Sequence, residues 1–355
     1  MPAGNLRDSA ALTRALRIGQ DIGDEVALVV TTSGTTGVPK GAMLTPAALI
    51  ASASASHDRL GGPGSWLLAL PAHHIAGIQV LVRSLLAGTV PVELDISAGF
   101  DPAGLPAAVE ALGSGRRYTS LVANQLAKAL ADPAAVAALA ELDAVLLGGG
   151  PAPTPVLDGA AEAGITVVRS YGSSETAGGC VYDGMPLDGV QVRIDNPPAG
   201  AGSGIGTVLI GGATLAVGYR NPPNPDPFGE PGWFRTDDVG RFDDAGRLMV
   251  LGRSDEAIST GGLTIMPAEV ESVLGRHPAV ADCAVFGVAD DRLGQRVVAA
   301  VVAAPGFVPA LAELREFIAQ SLDATAAPRE LHLVDELPRR GIGKLDRRTL
   351  RERYR

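Results

Sequence analysis

The segment Thr31-Thr32-Ser33-Gly34-Thr35-Thr36-Gly37-Val38-Pro39-Lys40-Gly41 gathers hydroxyls, glycines and one ammonium into a single short loop. Backbone N–H groups and hydroxyls in such a loop suit phosphate oxygens, and Lys40 adds a point charge at its end. The order is not that of a Walker A loop, which needs Gly-Lys-Ser/Thr; here Pro39 precedes Lys40 and Gly41 follows it. A turn-rich surface loop is the bland alternative, and the particular order of small residues, Pro and Lys speaks against it. Lysine usage sharpens the point. Lys40, Lys128 and Lys344 are the only lysines, so Arg supplies nearly all positive charge. A Lys retained in so Lys-poor a chain points to a need for a compact ammonium. Lys40 and Lys344 sit in Gly-containing motifs, whereas Lys128 lies on an Ala/Leu-rich stretch and reads as solvated.

Further segments carry groups of similar use. In Pro71-Ala72-His73-His74-Ile75-Ala76-Gly77 an imidazole can hydrogen-bond a carboxylate, although adjacent histidines at a strand end read equally well as half-exposed core residues. Leu147-Gly148-Gly149-Gly150-Pro151 exposes backbone to which a flat ring could lie close, and any tight βα turn would look similar. In Tyr171-Gly172-Ser173-Ser174-Glu175-Thr176 the Tyr171 ring offers a stacking face and Ser174 and Thr176 offer hydroxyls. Glu175 offers a carboxylate for Mg²⁺; the other reading is a Ser-Ser-Glu helix cap. Pro338-Arg339-Arg340-Gly341-Ile342-Gly343-Lys344-Leu345-Asp346-Arg347 ends the set, as either a solubilising basic tail or a glycine loop bearing Lys344.

The elements between these motifs must position them. Val26–Val30 reads as a buried strand, Trp66–Leu70 and Thr89–Val92 as strands, and Gly77–Leu86 as a helix. Leu121–Leu130 follows as a helix, Ala144–Leu147 as a strand, Pro155–Ala163 as a helix and Ile165–Val168 as a strand. This alternation predicts a layered α/β core with a parallel sheet, in which ligands sit at the carboxyl ends of strands. The segments at 31–41, 148–151 and 171–176 each follow such a strand and so converge on one cleft. After about residue 185, short strands (Val190–Ile194, Gly206–Ile210, Arg247–Leu251) and Gly/Pro turns predict a β-rich subdomain over 186–252. A compact α+β tail follows, with helices at Pro267–Leu274 and Leu311–Ser321 and strands at Val280–Gly287 and Val297–Val302. The expected domains are 1–254 and 255–355. Composition fits: 46% hydrophobic and 19% charged residues sustain a substantial core, and a net charge of -10 speaks against nucleic-acid binding. Without a transmembrane-length apolar run or a signal-peptide pattern, the expected compartment is the cytoplasm, with no membrane insertion. Cys180 and Cys283 read as buried free thiols, and no His/Asp cluster has the ligand spacing of a metal-dependent hydrolase.

Taken together, these motifs resemble those of the adenylate-forming (AMP-forming) acyl/aryl-CoA ligase superfamily, in its order, across residues 26–350. The resemblance implies that Thr32, Ser33, Gly34, Thr35, Thr36, Gly37 and Lys40 hold phosphate, and that Gly149, Gly150, Pro151, Tyr171, Gly172, Ser174 and Thr176 complete the nucleotide site. Glu175 then binds Mg²⁺, and His74 acts beside the acyl substrate. Gly232-Trp233-Phe234-Arg235-Thr236-Asp237-Asp238-Val239-Gly240 is similar to a ribose-binding motif whose Asp is Asp238, with Asp237 standing where Gly is common. Arg253 matches a ribose or phosphate contact, Asp255 a hinge about which the tail domain rotates, and Gly261 and Gly262 a turn lining the CoA tunnel. Lys344 matches the catalytic lysine. The implied co-substrates are ATP, Mg²⁺ and CoA, with no prosthetic group; the partner is a small carboxylic acid, and a homodimer through the larger domain is left open. Thr119–Leu126 and the phosphate loop's place near the N-terminus resemble a short form of the 2-succinylbenzoate–CoA ligases of menaquinone biosynthesis. Ser120, Gln125 and Arg117 would then hold the carboxylate that does not react. Other aryl or fatty acid ligases, a carrier-protein-loading adenylation domain and a non-catalytic nucleotide-binding protein are the alternatives.

Overall fold

The computed structural model describes residue 13, residues 16–32, 40–195, 204–339 and 345–355, and the backbone of 340 and 344. The chain divides into two compact units: 1–148 with 160–193 and 209–236, and 149–159 with 194–208 and 237–355.

Along the chain come β1 (Leu28–Thr32), β2 (Lys40–Leu44), α1 (Pro46–Arg59), β3 (Ser65–Leu68), α2 (Ile75–Ala87), β4 (Val92–Glu93) and α3 (Leu105–Ala111). Next are β5 (Arg117–Val122), α4 (Ala123–Leu130), α5 (Pro133–Ala140), β6 (Ala144–Gly148), α6 (Thr154–Glu162), β7 (Val167–Ser173), β8 (Gly178–Tyr182) and β9 (Met185–Pro186). Then follow β10 (Val190–Asp195), β11 (Gly206–Gly212), β12 (Gly218–Tyr219), β13 (Trp233–Phe242) and β14 (Leu248–Arg253), with β10, β11, β13 and β14 forming a four-stranded sheet in that order.

The sheet of the first unit has the order β4-β3-β5-β6-β7-β8-β9. Pairing is parallel from β4 to β7, and β8 and β9 extend it antiparallel. Its central strands are apolar on both faces, as a sheet covered on both sides requires: Tyr118, Leu121, Val145 and Leu146 are all buried. Buried Thr119 joins them because its hydroxyl donates to the Leu67 carbonyl, 3.1 Å. The helix expected from Leu121 begins two residues later. Leu121 and Val122 complete β5, and Gln125 folds back so that its Oε1 accepts from the Val122 N–H, 3.0 Å.

Val26–Val30 does not join this sheet. β1 forms an antiparallel hairpin with β2, in register from Leu28↔Leu44 to Thr32↔Lys40, and β12 adds to β2. Leu44, Leu49, Ala177, Tyr219 and Phe234 form a core with Val30, the one buried residue of β1. The phosphate-loop segment therefore spans a hairpin rather than the end of a parallel strand. The 171–176 motif also differs from expectation, because Tyr171–Ser173 lie inside β7.

The second unit continues with β15 (Ile258–Thr260), β16 (Leu263–Ile265), α7 (Pro267–Leu274), β17 (Val280–Asp290), β18 (Gly294–Ala303), α8 (Leu311–Ala319) and β19 (Glu330–Leu333). It closes with β20 (Arg339–Arg340), β21 (Lys344–Leu345) and α9 (Arg347–Arg353). Alternation along β18 separates two cores. Val297, Ala299 and Val301 pack with Val270, Leu274, Leu314 and Ile318, whereas Val298 and Ala300 pack with Phe286, Leu337 and Leu350.

Pro71 and Gly77 owe their spacing to contact. A Cβ at Gly77, in the first turn of α2, would collide with the Pro71 carbonyl oxygen. Gly77→Ala is expected to destabilise the protein by about 1–3 kcal/mol through overpacking, read as a lower urea midpoint at unchanged m-value.

Candidate active site

Thr32 and Lys40 face each other as the last paired residues at the loop end of the β1–β2 hairpin. Ser33, Gly34, Thr35, Thr36 and Gly37 lie outside the described residues. The base of the loop is tightly held. Gly41 donates to Asn221 Oδ1 at 3.1 Å, and a Cβ there would lie 2.6 Å from Val29 Cγ1. The Lys40 ammonium stands 5.3 Å from the centroid of the Tyr219 ring, within cation–π range. The Tyr219 hydroxyl donates to Glu175 Oε1 at 2.6 Å. Tyr219 thus joins two segments far apart in the sequence, and it belongs to none of the sequence motifs. Its position two residues after Val217, in a Gly-Tyr-Arg-Asn run, carries no signal of the kind a motif gives.

Glu175 is 6% exposed. Mg²⁺ is usually held by one or two carboxylates with phosphate oxygens and water. One buried carboxylate with Oε1 engaged by Tyr219 suits an ion that arrives with a triphosphate. Among the described residues there is no group of three His, Cys, Asp or Glu that could hold a resident ion.

Around Glu175 the chain is knotted. A Cβ at Gly172 would strike the Gly178 carbonyl, where the β7–β8 register shifts. Ser174–Thr176 form a single 3-10 turn. Thr176 departs from its expected phosphate-binding role: its hydroxyl is buried, accepts from the Ser173 N–H at 2.9 Å and donates to the Gly178 carbonyl at 2.7 Å. Ser174 remains half-buried, as does Tyr171. Burial pushes the Cys180 thiol up to about 12, and Cys283 is also raised by burial, so both thiols stay protonated at neutral pH.

On the acyl side, His74 is the N-cap residue of α2 and its ring lies 4.4 Å from that of His73. Ser120 and Gln125 are buried. Gln125 Nε2 donates to the Ala69 carbonyl at 2.8 Å, so this amide ties the carboxyl ends of β3 and β5. Arg117 sits at the opposite end of β5 and is bound to Glu141, through Oε2 at 3.2 Å and the carbonyl at 2.8 Å. Ligands of a parallel sheet lie at the carboxyl ends of its strands, so the geometry corrects the expectation for Arg117.

In the second unit, Gly149, Gly150 and Pro151 are exposed, with Gly149 at φ 83°. Asp238 pairs with Arg253 in the β13–β14 register. Arg253 donates to Asp255 Oδ1 at 3.0 Å and to Asp237 Oδ2 at 2.9 Å. Burial opposes its charge, but the hydrogen bonds and charges of Asp255 and Asp237 outweigh it and raise its pKa. The carboxylate that Asp237 adds is therefore answered by Arg253, and the guanidinium expected to meet ribose or phosphate is already occupied by protein. Gly261 and Gly262, at φ 58° and 83°, form the two-residue turn between β15 and β16. The Lys344 backbone pairs antiparallel with that of Arg340. Just beyond it, Arg347 binds Glu256 at 2.7 Å and both oxygens of Glu271 at 2.9 and 2.6 Å. Glu271 also accepts from the Val285 N–H, and burial raises its pKa against the pull of Arg347. This triad escaped the sequence analysis. Its one trace was Glu271 standing beside the buried stripe Val270, Val273 and Leu274.

Comparison with known proteins bears on these two units. Residues 10–220 match the family described as AMP-binding enzyme, and residues 269–344 match the AMP-binding enzyme C-terminal domain. The chain is 70% identical over 347 residues to a probable 2-succinylbenzoate–CoA ligase of Mycobacterium tuberculosis, covering 97% of this chain and 88% of that protein. It is 36% identical over 346 residues to the 2-succinylbenzoate–CoA ligase of Geobacillus kaustophilus, covering 92% and 69%. A solved structure of o-succinylbenzoate CoA synthetase from Bacillus subtilis, in complex with the acyl-adenylate intermediate OSB-AMP, matches with a TM-score of 0.79 at 31% identity, over 92% of this chain and 69% of that one. ATP-bound MatB from Rhodopseudomonas palustris matches with a TM-score of 0.82 at 27% identity, over 94% and 69%.

The two arginine clusters differ in burial, and so in expected worth. Arg347→Met leaves Glu271 and Glu256 without their cation and is expected to cost about 3–5 kcal/mol, whereas Arg253→Met, at exposed pairs, costs about 0–1 kcal/mol. Urea unfolding of both variants checks the contrast.

Proposed function

Because the chain belongs to the AMP-binding enzyme family and shares the α/β fold of adenylate-forming ligases, we propose that it joins 2-succinylbenzoate to CoA at the expense of ATP. The observation that carries the substrate is the 70% identity, across 97% of this chain, to a protein named for that acid.

In the first step a carboxylate oxygen attacks the α-phosphorus of ATP, the bond to the β-phosphate oxygen breaks, and pyrophosphate leaves with Mg²⁺. In the second, the CoA thiol attacks the acyl carbon, loses its proton, and AMP departs. The residues divide this work by charge and position. Lys40 and the hydroxyls of the loop from Thr32 hold the phosphates; Glu175, positioned by Tyr219, takes the Mg²⁺ of MgATP. Tyr171 stacks on the base, Gly149–Pro151 offers it open backbone, and Asp238 accepts from ribose hydroxyls. Lys344 supplies the ammonium that offsets charge building on the α-phosphate. His74 and Ser120 face the acyl substrate, Gln125 sets the strand ends beneath them, and Gly261 and Gly262 line the path of CoA. The part of the second unit that rotates between steps is 255–355, with Asp255 as its hinge. The enzyme works in the cytoplasm on diffusing substrates.

CoA-dependent AMP release, compared among 2-succinylbenzoate, benzoate and medium-chain fatty acids, tests the substrate; faster turnover of benzoate overturns it. Lys344→Ala is expected to slow acyl-adenylate formation by roughly 10²–10³ and to spare CoA attack on supplied acyl-adenylate, measured as separate half-reactions. Asp255→Pro is expected to slow the thioester step more than adenylation, and unchanged full turnover would count against the hinge.

A further inference from the structure

Ala177 directly follows the Glu175-Thr176 pair and is a non-glycine residue in the left-handed region, at φ 51° and ψ 35°. A side chain there is disfavoured unless the surroundings hold it. Ala177 is fully buried, and its carbonyl accepts two side-chain hydrogen bonds. Ser52 Oγ on α1 donates at 2.9 Å, and Gln79 Nε2 on α2 donates at 2.7 Å. A Cβ on the next residue, Gly178, would stand 3.1 Å from Gln79 Cγ, so the stem of Gln79 packs against the turn whose carbonyl its amide holds.

Gln79 is an expensive choice for packing alone. It is 1% exposed, and its Oε1 has no partner. The amide orientation is not arbitrary, because Nε2 faces two carbonyls, Ala177 and Leu49, where only a donor serves. A buried carbonyl oxygen left unsatisfied is destabilising. An apolar residue of the same size would remove that penalty and also remove the grip on Ala177.

We infer that Ser52 and Gln79 are positioning residues for Glu175. They lock the left-handed turn at Ala177. The Thr176 hydroxyl and the Ala216 N–H, which donates to the Glu175 carbonyl at 2.8 Å, secure the preceding residues, and Tyr219 receives the carboxylate. Gln79 lies on the helix that His74 caps, so one rigid element ties the acyl-facing segment to the metal-facing carboxylate. This rests on the proposed role of Glu175 toward the Mg²⁺ of MgATP.

The test is acid-dependent ATP–pyrophosphate exchange as a function of Mg²⁺, for wild type, Gln79→Met, Ser52→Ala and each variant combined with Glu175→Gln. Loss of one hydrogen bond of this kind is expected to raise the Mg²⁺ needed for half-maximal exchange by about three- to tenfold. In the Glu175→Gln background the same substitution should change exchange by less than about twofold, because coupled residues are not additive. Equal losses with and without the Glu175 carboxylate, or an unmoved Mg²⁺ dependence, overturn the inference. Ser52→Ala keeps the Gln79 bond and serves if Gln79→Met does not fold. If wild type shows no acid-dependent exchange, the functional reading fails instead. Amide hydrogen exchange across 174–182 then decides the clamp by itself: faster exchange in the variants upholds it, and unchanged exchange removes it.

Discussion

A carboxylate taken out of water has to be met by a donor, and Tyr219 meets that of Glu175. Much of the first unit is arranged around this hydrogen bond. Tyr219 arrives on the third strand of the small sheet, so β12 must pair with β2, and β2 must pair with β1. Those pairings bring the ends of the phosphate-loop segment to the same place, with Lys40 over the ring whose hydroxyl holds Glu175. Glu175 in turn hangs from β7, the strand at which parallel pairing gives way to antiparallel. Tyr219 therefore touches both groups, its ring the ammonium and its hydroxyl the carboxylate.

Both motif lysines have the same local construction. Lys40 and Lys344 each occupy the first paired position after a glycine-bearing connection, opposite Thr32 and Arg340. A strand position fixes the backbone of each lysine. The anchoring beyond each lysine is also similar in kind. Gly41 is gripped by Asn221 and packed on Val29, and beyond Leu345 the Asp346 N–H donates to the Pro338 carbonyl. In both cases the lysine Cα is rooted in paired backbone.

What the sequence revealed and what it hid follow from how far each interaction reaches. Period-3.6 and continuous apolar patterns identified α2 and the core strands β6, β17 and β18, because these depend on residues within one element. The motifs were legible because phosphate and ribose chemistry demand particular side chains at short spacing. β1 joins a different sheet from the one expected because an apolar run does not state its partner; β1 pairs with the neighbouring β2, and the β12 strand that completes this small sheet on β2 lies far along the chain. Thr176 and Arg117 carried suitable groups, but whether a group is free depends on neighbours such as Gly178 and Glu141 that no local pattern discloses. Tyr219, Gln79 and the Arg347 triad went unseen for the same reason. Each acts on a residue far along the chain.

The strength of ion pairs also indicates where the second unit can yield. Arg253, Asp237 and Asp255 have side chains 35%, 62% and 43% exposed, so water competes for every partner and the pairs exchange readily. Arg347, Glu256 and Glu271 are 10%, 25% and 12% exposed, and opening them strands charge in a desolvated place. Glu256 is the next residue after Asp255, so the weak and strong clusters abut at the proposed hinge. A rotation at Asp255, as proposed above, would break the solvated bonds to Arg253 and leave Glu256, Glu271 and Arg347 together. Arg347 follows Lys344 by three residues, so this buried cluster anchors the chain just beyond the lysine.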